Sequence, residues 1–160
     1  MTIAVGDSIP DVTVHIMGES APEPRNSGAL FAGRKVVLFA LPGAFTPTCS
    51  AKHLPGFIDA AAEFFEKGVD EIICLSVNDA WVMDAWGKAQ GADGKLTMVA
   101  DGNGDLSRAM GLTADMSGAG FGERSVRYAM IVDNGVVTHL NVEEPRKFKI
   151  SDAQTMLTLL

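Results

Sequence analysis

The sequence predicts an α/β fold in which a mixed central β-sheet is flanked by helices on both faces. Three observations predict it. Two continuous apolar runs, Lys35–Leu41 (KVVLFAL) and Glu71–Val77 (EIICLSV), have the length and composition of strands buried on both faces. Segments with helical spacing stand between the strands, as in a layered α/β sheet. Toward the C-terminal end two further apolar runs meet at Asp133-Asn134-Gly135. Asn-Gly is the strongest short hairpin signal, because both residues tolerate positive φ.

Taken in order, the first strand is Val12–Ile16, where Val12, Val14 and Ile16 alternate with Thr13 and His15. Gly18–Gly28, rich in Pro, Glu, Ser and Gly, is expected to be a loop. Lys35–Leu41 follows and is closed by Pro42-Gly43. In the next segment Phe57, Ala60, Ala61, Phe64 and Phe65 recur at helical spacing, and Gly68 marks the C-terminal stop. Pro55 lacks an N–H and crowds the preceding turn, so a kink or break is expected near His53-Leu54. After the strand Glu71–Val77, Asn78 or Asp79 caps a helix that runs from Ala80 to near Ala89, with Trp81 and Trp86 expected to pack inward. Leu96–Ala100 is a short strand and Asp105–Met110 a short helix ended by Gly111. Ser125–Val132 and Val136–Val142 form the hairpin, and Ser151-Asp152-Ala153-Gln154 reads as a capping box opening a last helix. The order is β–β–α–β–α–β–α–β–β–α over one expected domain, residues 1–160, with neither an internal repeat nor a dividing linker.

Composition narrows the function classes. With 47% hydrophobic and 21% charged residues, the chain resembles an ordinary globular protein. Its formal net charge of −7 gives no electrostatic reason to bind nucleic acid. No apolar run approaches the length of a membrane span, so no membrane partner is expected. The opening MTIAVGDSIP has no basic stretch and no apolar core, unlike a secretory leader. A cytoplasmic location is expected, with a mature organellar form as the other option. Two cysteines, Cys49 and Cys74, do not make a disulfide scaffold and point to a reducing compartment. Cys-x-x-Cys is absent, since Ser50, Ala51 and Lys52 follow Cys49. No Cys/His set has zinc-ligand spacing, and no cofactor is expected.

The stretch Pro42-Gly43-Ala44-Phe45-Thr46-Pro47-Thr48-Cys49 leaves a buried strand and enters a helix. Thr46 is expected as the N-cap, Pro47 takes the first helical position, and Cys49 the third. A sulfur there lies near unpaired backbone N–H groups and the positive end of the helix dipole. The thiolate is the nucleophilic form of cysteine, and helix N-termini and cations favour it. Cys74, mid-strand between Ile73 and Leu75, reads as a core residue. The other reading is a resolving cysteine that pairs with Cys49.

Pro42-x-x-x-Thr46-x-x-Cys49 matches the active-site signature of peroxiredoxins. The longer PGAFTPTCSAKHLPGF resembles the type-five (type II) class of that family. So do CLSVNDAWVMDAWG (Cys74–Gly87), Phe121-Gly122, VRYAMIVDNG (Val126–Gly135) and LNVE (Leu140–Glu143). The resemblance spans nearly the whole chain. It implies a thioredoxin-like (redoxin) fold and thiol-dependent reduction of hydrogen peroxide and alkyl hydroperoxides, with Cys49 passing through a sulfenic acid. By family pattern Thr46 offers its hydroxyl to thiolate and peroxide, Arg127 stabilises the thiolate and the developing charge, and Pro42 shields the sulfur. Gly43, Phe45, Thr48 and Phe121 are expected to line the substrate pocket. Without the resemblance, Arg127 would read as an outward strand residue. Arg124 is expected to be a solvated loop charge. His53, one helical turn beyond Cys49, either tunes the thiol or packs beneath Pro55.

Some type-five members carry a resolving cysteine between the final strand and the last helix. The corresponding Glu143–Ser151 has none. The expectation is therefore a one-cysteine cycle resolved by an external thiol, glutathione or glutaredoxin, alternatively thioredoxin. The resemblance also implies a homodimer through Ala44-Phe45 and the Thr113–Phe121 loop. Two rival classes stand beside this reading. A cysteine hydrolase would need a histidine base and an orienting partner at Cys49. A binding module that kept only the fold would have no use for Thr46, Cys49 and Arg127 together.

Overall fold

The computed structural model describes residues 1–160. Its strands are β1 (Thr13–Met17), β2 (Pro22–Asn26), β3 (Lys35–Ala40), β4 (Glu71–Ser76), β5 (Thr97–Ala100), β6 (Thr113–Asp115), β7 (Glu123–Ser125), β8 (Tyr128–Asp133) and β9 (Val136–Val142). Its α-helices are α1 (Ser27–Phe31), α2 (Leu54–Glu66), α3 (Ala80–Gln90), α4 (Asp105–Ala109) and α5 (Ala153–Leu157). Seven strands form one sheet in the order β2-β1-β5-β4-β3-β8-β9, and β6 and β7 form a small separate ribbon. β3, β4 and β5 run parallel while β1, β8 and β9 are antiparallel to their neighbours, so the sheet is mixed.

The two apolar runs become β3 and β4 at the centre, with all but their first residues buried. Side chains alternate across a strand. Val37 and Phe39 therefore enter one core layer, together with α2, α3 and α5, and Val36, Leu38 and Ala40 enter the other, with Phe31 of α1 and Leu106 of α4. Phe39 and Phe57 stack with ring centroids 4.0 Å apart, and Phe64 extends the stack at 5.5 Å from Phe57. Cutting Phe57 back to Ala would cost about 3–5 kcal/mol. Both cysteines belong to this first layer. At the hairpin, Asn134 and Gly135 have φ of 47° and 78°, and Asp133 pairs with Val136 across a two-residue turn.

The elements depart from the sequence expectations at several places. Gly18–Gly28 is not all loop: β2 pairs along β1, and α1 begins at Ser27. Pro22 and Pro24 disguise the strand, yet Pro is tolerated on a sheet edge, where β2 lies. Ser125–Val132 is not one strand, because Val126 and Arg127 lie between β7 and β8. The apolar, β-favouring run continues across the break and hides it. Near Pro55 the helix is irregular at His53-Leu54, where a kink or break was expected, but it continues. A π-helical turn, Cys49–His53, takes up the misfit, with the Leu54 N–H donating to the Cys49 carbonyl five residues back. The last helix is capped by Asp152, whose side chain accepts from Thr155 N–H, rather than by Ser151. Trp81 is 57% exposed, whereas Trp86 is buried and donates to Ser50 Oγ at 3.0 Å.

Candidate active site

The loop leaving β3 is held from β4. Ser76 Oγ donates to the Leu41 carbonyl at 3.0 Å, and Asn78 Oδ1 accepts from Ala44 N–H at 3.0 Å. Pro47 and Thr48 are already helical ahead of the π-turn, so Cys49 stands at a helix start, as its spacing predicted. Thr46 does not cap that helix through its side chain. Its hydroxyl donates to the Gly43 carbonyl at 2.6 Å, which leaves its lone pairs free.

Arg124 is not a solvated loop charge. Its Nη1 donates to the Pro42 carbonyl at 3.1 Å, its Nε donates to the Phe121 carbonyl at 3.0 Å, and its guanidinium lies 5.3 Å from the Phe121 ring centre. It ties the cysteine loop to the β6–β7 ribbon. A Cβ on Gly43 would come 2.9 Å from Arg124 Nη1 and 3.2 Å from Thr46 Cγ2, so the guanidinium would have to shift to admit one.

Cys49 is 1% exposed. Arg127, in the gap between β7 and β8, directs its guanidinium at it. Nη2 donates to Cys49 Sγ at 3.0 Å and Nη1 donates to His53 Nδ1 at 2.8 Å. His53 Nε2 lies 2.9 Å from the Ser151 carbonyl. A carbonyl can only accept, so the proton sits on Nε2 and Nδ1 is the acceptor for Arg127. Burial, reinforced by the Arg127 charge, lowers the His53 pKa from 6.5 to about 3 against the opposing pull of the Ser151 carbonyl and Glu143. The ring is therefore neutral, and it is enclosed by Phe39, Phe57 and Phe148. The Arg127 contact thus brings a charged donor onto the sulfur, and a charge-assisted hydrogen bond is stronger than a neutral one.

Beside this group, and reached by it through Arg127, opens a cleft of about 900 Å³ lined also by Pro42, Thr48, Phe121, Glu143 and Phe148 among others; Cys49, Thr46 and His53 are not in its lining. Gly43 and Phe45 do not line it. Gly43 is buried against Arg124, and Phe45, at φ 63°, turns outward and is 57% exposed beside Trp86. Cys74 lies within β4 and is fully buried. Burial pushes its thiol well up, and the neighbouring Cys49 adds to the shift. The sequence did not expose the His53–Ser151 link, because its partners are 98 positions apart. Both nitrogens of His53 are engaged, so it has no free lone pair with which to take a proton from Cys49, as a hydrolase would require.

Residues 4–157 match the Redoxin family model. The chain is 51% identical to "Peroxiredoxin-2E-2, chloroplastic" of rice (Oryza sativa subsp. japonica) over 99% of its own length and 73% of the relative's. The structure of reduced Prx3 from Vibrio vulnificus in complex with hydrogen peroxide superposes with a TM-score of 0.95 at 51% identity and covers 99% of each chain. The "antioxidant protein (1-Cys peroxiredoxin)" of Plasmodium falciparum superposes at 0.92 with 30% identity and 98% of each chain covered. With its mixed sheet in the thioredoxin-like arrangement, the chain belongs to the redoxin family and within it is a peroxiredoxin, a thiol-dependent peroxidase.

Proposed function

We propose that Cys49 runs a one-cysteine cycle on hydrogen peroxide and alkyl hydroperoxides, with glutathione or glutaredoxin as the reductant. The single observation that carries this reading is the 3.0 Å contact from Arg127 Nη2 to Cys49 Sγ, beside a second cysteine sealed inside the sheet. The thiolate attacks the terminal peroxide oxygen and an S–O bond forms as the O–O bond breaks. The departing oxygen takes a proton and leaves as water or alcohol, and Cys49 becomes a sulfenic acid. Thr46 Oγ1, with its own proton held by Gly43, accepts a hydrogen bond from the peroxide, and Arg127 donates to the oxygens as charge moves onto them. One external thiol then displaces water to give a mixed disulfide, and a second thiol releases Cys49 with formation of a new disulfide.

The missing cysteine in Glu143–Ser151 and the place of Cys74 mid-strand in β4, where its thiol is pushed up, support an outside thiol. The similarity to a solved relative described as a 1-Cys peroxiredoxin supports it too. Phe45 and Phe121, 57% and 40% exposed, support a homodimer formed through their loops, since exposed aromatic side chains favour interfaces. A cytoplasmic setting keeps both cysteines reduced. The test is peroxide turnover by the parent and by Cys74→Ser, with glutathione plus glutaredoxin or with thioredoxin. Turnover by both proteins with glutaredoxin is expected. Loss in Cys74→Ser, or turnover with thioredoxin alone, overturns the cycle.

A further inference from the structure

Glu143 is a buried carboxylate that the peroxide chemistry leaves unused. It closes β9 just beyond Val142 and is 7% exposed. Its Oε2 accepts from three successive main-chain N–H groups, Lys149 at 2.8 Å, Ile150 at 2.9 Å and Ser151 at 2.9 Å, and from the Ser151 hydroxyl at 2.8 Å. Consecutive amides converging on one oxygen form an anion nest. Partial burial pushes the Glu143 carboxyl up, but these donors outweigh it and hold the group below its ordinary value.

The nest fixes where the Ser151 carbonyl points. That carbonyl holds His53 Nε2 at 2.9 Å, which selects the tautomer whose Nδ1 accepts from Arg127 Nη1 at 2.8 Å. The other terminal nitrogen of Arg127 then reaches Cys49 Sγ at 3.0 Å. The circuit closes through the backbone, because the Glu143 N–H donates to the Arg127 carbonyl at 2.9 Å. Glu143 is thus linked to Arg127 twice, by its own N–H to the Arg127 carbonyl and by its carboxylate through Ser151 and His53. Phe148, inside the segment that the nest folds, packs 5.7 Å from the Arg127 guanidinium and 4.9 Å from the His53 ring. The adjacent Glu144 is exposed and pairs with Lys147 alone.

We propose that Glu143 is a positioning residue for peroxide reduction, setting Arg127 on Cys49 through Ser151 and His53. The inference rests on the reading of Arg127 as the group that holds the Cys49 thiolate. In a family whose resolving thiol is external here, the segment after the last strand keeps a task of its own: it orients the arginine.

The test measures the rate of Cys49 oxidation by hydrogen peroxide in rapid mixing and the His53 tautomer by nitrogen-15 NMR, in the full chain. Glu143→Ala is expected to slow oxidation ~10-fold to ~100-fold, the usual size of a lost outer partner, and to mix the His53 tautomers. Glu63→Ala, at an exposed position of α2 away from the cleft, keeps both parent values. Glu143→Gln regains most of the rate, because an amide oxygen still accepts from the nest. A folded Glu143→Ala with the parent rate overturns the proposal, and so does a slow one whose His53 keeps the parent tautomer. If Glu143→Ala does not fold, Glu143→Asp, one methylene short of the nest, carries the same two readouts with a several-fold loss, and parent values in it overturn the proposal. Arg127→Lys at the parent rate removes the reading of Arg127 itself. A collapsed Arg127→Lys beside an unaffected Glu143→Ala overturns the anchor alone.

Discussion

Cys49 and Cys74 lie in the same core layer and are equally sealed from solvent, yet they meet opposite surroundings. Cys74 sits mid-strand in β4, and burial makes its anion costly. Cys49 begins a helix and receives a guanidinium donor. Exposure does not separate a reactive thiol from an inert one here. The difference lies in what stands at the sulfur: a guanidinium donor and a helix start at Cys49, the middle of a strand at Cys74. Cys49→Ser is accordingly expected to abolish peroxide reduction in a stopped-flow assay, the largest effect in the molecule. Detectable turnover in that variant would move the chemistry elsewhere.

The next largest effect breaks the comparison from the arginine side. Arg127→Lys keeps a positive charge but loses the planar fork that reaches His53 and Cys49 together. A fall in the peroxide rate of roughly 10²-fold is expected, as for one lost transition-state donor. A rate within threefold of the parent would mean that charge alone suffices.

The fork was only partly legible in the sequence. The run from Pro42 to Cys49 states its geometry locally, since a buried strand, a proline at the first helical turn and the cysteine follow one another. Arg127 is invisible to periodicity, because Val126 and Tyr128 continue a strand pattern across the gap where it lies. The family resemblance supplied it. His53 showed only its one-turn spacing from Cys49, and Glu143 carries no local signal, since their partners are distant or are main-chain atoms. Ser151 and Asp152 are equally good caps, and the choice of Asp152 follows from the engagement of Ser151 with Glu143. The mixed sheet was legible because its central strands are uniformly apolar. β2 was not, because an edge strand can be built from Pro, Glu and Arg.

Acid sharpens the same contrast. The unfolded chain binds a proton at His53 near pH 6.5, while the folded one binds it only at about 3. Stability from this group is complete above the unfolded value and is lost as pH falls from there toward 3. Glu143 acts in the same direction over a lower window, lost as pH falls through the ordinary carboxylate range to its lowered folded value. The melting temperature should drop on the order of 10 °C between pH 7 and pH 4. A flat profile would mean that His53 is not held neutral. The smallest functional effect belongs to Cys74→Ser. Its peroxide rate should stay within about twofold of the parent, with a stability loss of about 1–3 kcal/mol for a buried hydroxyl without a partner. A faster loss of activity than of stability would give Cys74 a redox part.

The most direct test treats the fully reduced protein with one equivalent of hydrogen peroxide in the presence of a sulfenic-acid trap and maps both cysteines by mass spectrometry. The account predicts a trapped sulfenic acid on Cys49 with Cys74 still a free thiol. A Cys49–Cys74 disulfide, or a Cys49 left unmodified, would contradict it.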